Sequence, residues 1–137
     1  MRNLKTALYG LAALGLAMFG GPVAADTGSP VVVELYTSQG CSSCPPAEAF
    51  LGELVKRPNV IALEFHIDYW DYIGWKDPFA SPDYTARQRA YSARMGERYV
   101  YTPQMLIQGQ THEVVSKGYL VEKKIALIRD NASPGPE

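Results

Sequence analysis

Cysteine is nearly absent from this 137-residue chain: there are two, both within Cys41-Ser-Ser-Cys44. A framework of several disulfides is thereby excluded, and in an oxidising compartment the two can pair only with each other. Histidine is as scarce, with two isolated residues, His66 and His112, and no zinc-finger spacing. Neither sign of charge dominates, with 13 basic residues against 14 acidic ones. No basic patch marks a nucleic-acid or anionic-lipid surface. Internal repeats and low-complexity blocks are missing as well, which leaves a single small domain as the reading of the chain.

The long apolar run is confined to the N-terminus. Arg2 and Lys5 precede an apolar stretch over residues 7–20, and Val23-Ala24-Ala25 offers small residues before Asp26. This pattern reads as a secretory signal peptide over residues 1–25, too short and wrongly flanked for a spanning helix. No cysteine directly follows the run, so no lipid attachment is expected there. The expected mature chain is periplasmic or secreted, without stable membrane insertion. It retains 11 basic and 14 acidic residues, a net charge of −3.

What is present is organised around residues 31–46. Val31-Val-Val-Glu-Leu-Tyr36 reads as a buried strand, Gln39-Gly40 breaks it, and a helical apolar period starts after Pro46. A Cys-x-x-Cys element therefore sits where a strand hands over to a helix. As a staple it would be weak. A ring this small contributes about 2 kcal/mol on the chain-entropy estimate, against about 3 kcal/mol for a fifteen-residue loop. Redox use is favoured over a structural role.

Ala47, Phe50, Leu51, Leu54 and Val55 fall on one face of the following helix. Pro45 and Pro46 mark its start, with Ser42 or Ser43 as the cap, Cys44 in the first turn, and Lys56-Arg57 at the C-terminal dipole end. Residues 60–68 form a second strand, Leu63, Phe65 and Ile67 pointing one way and Glu64, His66 and Asp68 the other. Such a polar face suits an edge strand, a polar lid or the site itself. Residues 69–101 are aromatic-dense and aperiodic until a basic helix over 85–98, and read either as a cap on the sheet or as a surface that grips a peptide. After Thr102-Pro103 come a strand over 104–108, a turn at Gly109, and an antiparallel return over 111–116. A final helix over 119–130 turns Val121, Ile125 and Ile128 inward, and residues 132–137 read as a disordered tail.

The order strand, Cys-x-x-Cys, helix, strand, helix, Thr-Pro, hairpin, helix resembles the thioredoxin fold. More closely, the chain resembles the exported bacterial proteins of domain-of-unknown-function family 1223. The residues that carry this are Val33-Glu-Leu-Tyr-Thr-Ser-Gln-Gly-Cys-Ser-Ser-Cys-Pro-Pro46, the long run from Phe65 to Pro82, Arg87-Gln-Arg-Ala-Tyr91, and Tyr101-Thr-Pro-Gln-Met105. Members of that family continue into a further β-rich segment beyond the length of this chain. The fold implied over residues 26–131 is α/β and thioredoxin-like: a central mixed β-sheet flanked by helices, with an aromatic-rich helical insertion.

The broader resemblance also implies roles. Cys41 would be the attacking thiol and Cys44 the resolving one. Pro103 would be a cis-proline against the disulfide, and Thr102 would offer its backbone to an extended substrate. Glu34 resembles the interior acid that lies beneath a resolving cysteine, where it would titrate high and accept the Cys44 proton; a Glu turned to solvent or paired with an arginine is the alternative. Apart from the resemblance, the aromatic density of residues 69–101 makes Trp70 and Trp75 the candidates for a substrate surface. Two features depart from thioredoxins: no Trp precedes Cys41, and Ser42-Ser43 replaces Gly-Pro.

The function expected is thiol–disulfide exchange on protein thiols, recycled by a redox partner and needing no metal or dissociable cofactor. Its rivals are a redox-silent binding module with a permanent disulfide, and a copper or zinc protein using Cys41, Cys44, His66 and His112. The helix start beside Cys41 lowers its thiol modestly below the usual value of about 8.5. Thiolate absorbance of the reduced protein is therefore expected to rise somewhat below pH 8.5. A transition below about pH 5 would instead require a strong neighbouring positive charge.

Overall fold

The computed structural model of the protein describes residues 29–115 and 118–131. The expected signal segment, Ser116 at the end of the expected hairpin, and the expected disordered tail lie outside these described residues. No helix among those described is long and apolar enough to cross a membrane.

Four strands form one mixed sheet in the order β2-β1-β3-β4. β1 (Val31–Thr37) pairs in parallel with β2 (Val60–His66) and antiparallel with β3 (Gln104–Ile107), which in turn pairs antiparallel with β4 (Thr111–Val114). β1 is thus enclosed on both edges, which is why its sequence is apolar almost throughout. β2 is an edge strand, and this accounts for the polar face read from Glu64 and His66.

Three helices cover the sheet: α1 (Pro45–Leu54), α2 (Pro82–Arg94) and α3 (Gly118–Asn131). The two-residue period of β1 sends Val31, Val33 and Leu35 into one core with Leu51 and Leu54 of α1 and Val121 and Ile125 of α3. Ile128 packs against that core, as its spacing predicts. Tyr36 points the other way, into a smaller cluster with Ile67, Leu106, Tyr69, Trp70 and Tyr91. The α/β arrangement of a mixed sheet flanked by helices is therefore present and is consistent with a thioredoxin-like fold.

Several boundaries differ from the expectation. α1 stops at Leu54, so Val55 is its C-cap and is exposed, and Lys56 and Arg57 lie past the end. They form side-chain pairs instead, Lys56 with Glu53 and Arg57 with Glu122. The β3–β4 turn uses positive φ at both Gln108 and Gly109, and a Cβ on Gly109 would meet the Tyr91 ring at 3.0 Å.

α2 starts three residues earlier than the basic helix expected over 85–98 and ends at Arg94. Ser81 is its N-cap, its hydroxyl accepting from the Asp83 N–H at 3.2 Å, with Pro82 in the first turn. Ser-Pro-Asp is a start signal that an apolar-period search passes over. Thr85 then ties the helix to the end of β2, donating to Asp68 at 2.6 Å. Replacing Ser81 by Ala is expected to cost about 1 kcal/mol of stability, measured as a shift in the urea midpoint at unchanged slope.

Candidate functional site

The site is where β1 ends. Its last residue, Thr37, still pairs with His66 of β2, and its hydroxyl donates to Glu48 of α1 at 2.7 Å. The chain then turns tightly: the Cys41 N–H donates to the Ser38 carbonyl at 3.0 Å, and the Cys44 N–H to the Cys41 carbonyl at 3.1 Å. Cys41 and Cys44 are joined as a disulfide with Cα atoms 5.4 Å apart.

Cys44 is itself the N-cap of α1, where Ser42 or Ser43 was expected and the cysteine was placed one position further in. Its carbonyl accepts from Ala47 and Glu48, while no side chain caps the helix. Ser42 and Ser43 are exposed, and the Ser43 hydroxyl lies 3.6 Å from Cys41 Sγ. Cys41 is 4% exposed and Cys44 0%, so both cysteines are buried and only the N-terminal one reaches the surface at all.

The aromatic insertion braces this loop from the other side. The Gln39 N–H donates to the buried Asp77 carboxylate at 2.8 Å, and the Trp75 indole donates to Gln39 Oε1 at 2.9 Å. Gly40 is so close to Trp70 and Ile73 that a Cβ there would sit at 3.1 and 3.2 Å from them. The Trp70 indole donates to Thr102 Oγ1 at 2.7 Å, so one side chain links the residue before Cys41 to the residue before Pro103. The Thr102–Pro103 peptide bond is cis.

The insertion caps the sheet with part of its aromatics and leaves the rest exposed. Tyr69 and Trp70 pack on the sheet, while Tyr72, Ile73, Trp75 and Phe79 are exposed beside the loop. Of the residues expected at a substrate surface, Trp75 is 59% exposed, whereas Trp70 is a half-buried brace.

A groove of about 310 Å³ runs from the disulfide motif to the sheet edge. Ser43, Pro46 and Ala47 at the start of α1, the Thr102–Pro103 turn, and Val114 and Val115 after it line this groove. Ser43, between the two cysteines, and the distant Thr102 and Pro103 are therefore brought to one groove.

The family described as "Protein of unknown function (DUF1223)" matches residues 32–136, a span that takes in every element just described except the first residue of β1. The chain belongs to that family. Its fold is also similar to the X-ray crystal structure of an Agrobacterium tumefaciens protein that was a structural genomics target, with 38% identity and a TM-score of 0.71. That similarity covers 75% of this chain and 46% of the Agrobacterium chain, so this protein spans about half the length of that relative. No curated protein matches.

Within this DUF1223 chain Glu34 departs from its expected role. The alternation of β1 turns it to the face opposite α1, away from the helix that Cys44 caps. There it takes a bidentate pair from Arg87, at 2.9 and 2.8 Å, and hydrogen bonds from the Tyr36 and Tyr91 hydroxyls at 2.8 and 3.1 Å. Burial by itself would raise its pKa, but the Arg87 guanidinium and the tyrosine donors outweigh it and hold the carboxyl below 4.5. It titrates low, not high, and the arginine pair that was the alternative is the one formed. The Tyr36 phenol is pushed up by burial and by its bond to Glu34.

Asp77 was not singled out from sequence: it lies within the run from Phe65 to Pro82, but in an aperiodic stretch where no local pattern marks a buried carboxylate. Burial would raise its carboxyl too, yet the N–H groups of Gln39 and Phe79 and the His66 ring hold it below its usual value. The nominal Cys₂His₂ set does not assemble. His66 is on β2 and His112 on β4, the two edges of the sheet, three strand spacings or about 14 Å apart. His66 pairs with Asp77 at 2.6 Å and His112 with the Tyr101 hydroxyl at 2.7 Å. Among the described residues no group of three or more His, Cys, Asp or Glu is placed to hold a metal.

The lowered pKa of Glu34 has a definite pH signature. Its contribution to stability is complete above about pH 4.5 and is lost as pH falls through the folded value. Replacing Arg87 by Ala strands a buried carboxylate. With the Arg87 side chain 45% exposed, the expected loss falls near or below the lower end of about 3–5 kcal/mol. Urea midpoints measured from pH 7 down to pH 3 should show the deficit of the variant shrinking as Glu34 becomes protonated.

Proposed function

We propose that this DUF1223 protein is a cell-envelope thiol–disulfide oxidoreductase acting on protein thiols. The observation that carries the reading is a Cys-x-x-Cys disulfide at a helix start whose intervening residue, Ser43, shares one groove with Thr102 and Pro103. The order of exposure supports Cys41 as the residue that meets the substrate. The basic, apolar and small-residue pattern of residues 1–25 supports export to a compartment where the disulfide persists.

The exchange balances as follows. A substrate thiolate attacks Cys41 Sγ, the Cys41–Cys44 bond breaks, and Cys44 leaves as a thiolate that takes up a proton. A second substrate thiolate then attacks the substrate sulfur of the mixed disulfide and releases Cys41. The substrate dithiol has lost two electrons to the protein, and a second dithiol–disulfide protein returns the site to its starting state. Reduction of a substrate disulfide is the same sequence run backwards. Thr102 and Pro103 serve as the edge along which an extended substrate segment lies. The Trp70 brace holds Thr102 beside the motif, and Trp75 borders it.

A redox-silent binding module is the second reading, and the burial of both cysteines favours it. The two readings separate on one set of measurements. Insulin reduction and dithiol oxidation are expected for the wild type and absent for Cys41→Ser. Cys44→Ser should trap a mixed disulfide through Cys41. A reduction potential below about −300 mV, with no turnover by the wild type, would mark an inert structural disulfide and end the oxidoreductase reading.

A further inference from the structure

The groove beside the disulfide is uncharged throughout. Of its seven lining residues, Pro46, Ala47, Pro103, Val114 and Val115 are apolar. The remaining two are hydroxyl-bearing, and Thr102 Oγ1 already accepts the Trp70 indole N–H. The Ser43 hydroxyl is at the sulfur end, 3.6 Å from Cys41 Sγ.

Successive residues of an extended chain advance about 3.3 Å. Ser43 both approaches Cys41 Sγ and lines the groove, so a substrate chain that engages Cys41 and continues past Ser43 enters it within a few residues. A charged side chain entering there would lose hydration and meet no counter-charge, whereas an apolar one is favoured by burial.

From this uncharged lining we infer that the groove selects substrates whose reacting cysteine has an uncharged, apolar neighbour, with Val114 as the specificity-determining residue. The inference rests on the exchange reading above and names its substrate class. Val114 suits the role because it is on the edge strand and 43% exposed, so it meets an incoming chain without supporting the core.

The test uses disulfide-linked peptides identical except for Leu, Gln, Lys or Glu beside the cysteine. Each rate is divided by that of the same peptide with free dithiothreitol, which removes intrinsic reactivity. The Leu peptide is expected to react at least about tenfold faster than either the Lys or the Glu peptide, the scale on which apolar pockets discriminate. Val114→Glu should suppress the Leu preference and raise the Lys peptide above the Glu peptide. Val114→Thr, of the same shape, should weaken the preference without creating a charge bias.

Equal rates for all four peptides, or a preference for either charge in the wild type, would overturn the inference while leaving the exchange reading intact. Unchanged selectivity in folded Val114→Glu would do the same. Failure of every peptide to react would instead remove the exchange reading on which the inference rests.

Discussion

Everything at the site depends on β1 having no free edge. β2 holds one side of it in parallel register from Val31 to Thr37, and β3 holds the other from Val33 to Tyr36. A strand pinned on both sides delivers the next residues, Ser38 to Cys41, to one place. Beyond Thr37 the pairing of β1 with β2 continues for one more bond, from the Ile67 N–H to the Thr37 carbonyl. Turn hydrogen bonds then take over. The disulfide is thus positioned by sheet pairing on its upstream side and by the α1 N-terminus on its downstream side.

The alternation of β1 divides the protein into two chemically distinct halves. One face is aliphatic and holds α1 and α3. The other carries a buried carboxylate, its arginine and a set of aromatic rings under α2, with the Phe65 ring stacked on Tyr36 at 5.5 Å and edge-on to Tyr84 at 5.1 Å. Arg87 lies over the Phe65 ring as well as pairing with Glu34, so one guanidinium closes both the charge and the aromatic packing. The Glu34 cluster is therefore a docking device for α2. It serves the disulfide only through the sheet that both elements share.

The insertion between β2 and β3 combines two roles in adjacent residues. Its inward rings anchor it to the sheet, and its polar atoms hold the motif loop, Asp77 through the Gln39 amide and Trp75 through the Gln39 side chain, while Trp70 holds Thr102 ahead of β3. Asp77 also holds the His66 ring. Losing hydration in the interior is costly for a carboxylate unless donors surround it, and three here do. The result is a disulfide loop supported from beneath by the sheet and from the side by the insertion, with the groove toward Val114 left open.

Local sequence alone determined the strand–disulfide–helix unit, the inward face of α3, the hairpin after Pro103 and the α/β class, because each is written in periodicities or turn residues a few positions apart. It did not determine the exact caps of α1 and α2, since Ser42, Ser43 and Cys44 all stand just ahead of Pro45, and Ser81-Pro82 reads equally as a loop. Which way Glu34 faces, what it pairs with, and which aromatics are brace rather than rim were decided by tertiary structure. So was the separation of His66 from His112. Arg87 lies 53 positions from Glu34 and Asp77 lies 38 from Gln39. A side chain's partner across such distances is set by strand order and packing, which no local pattern encodes.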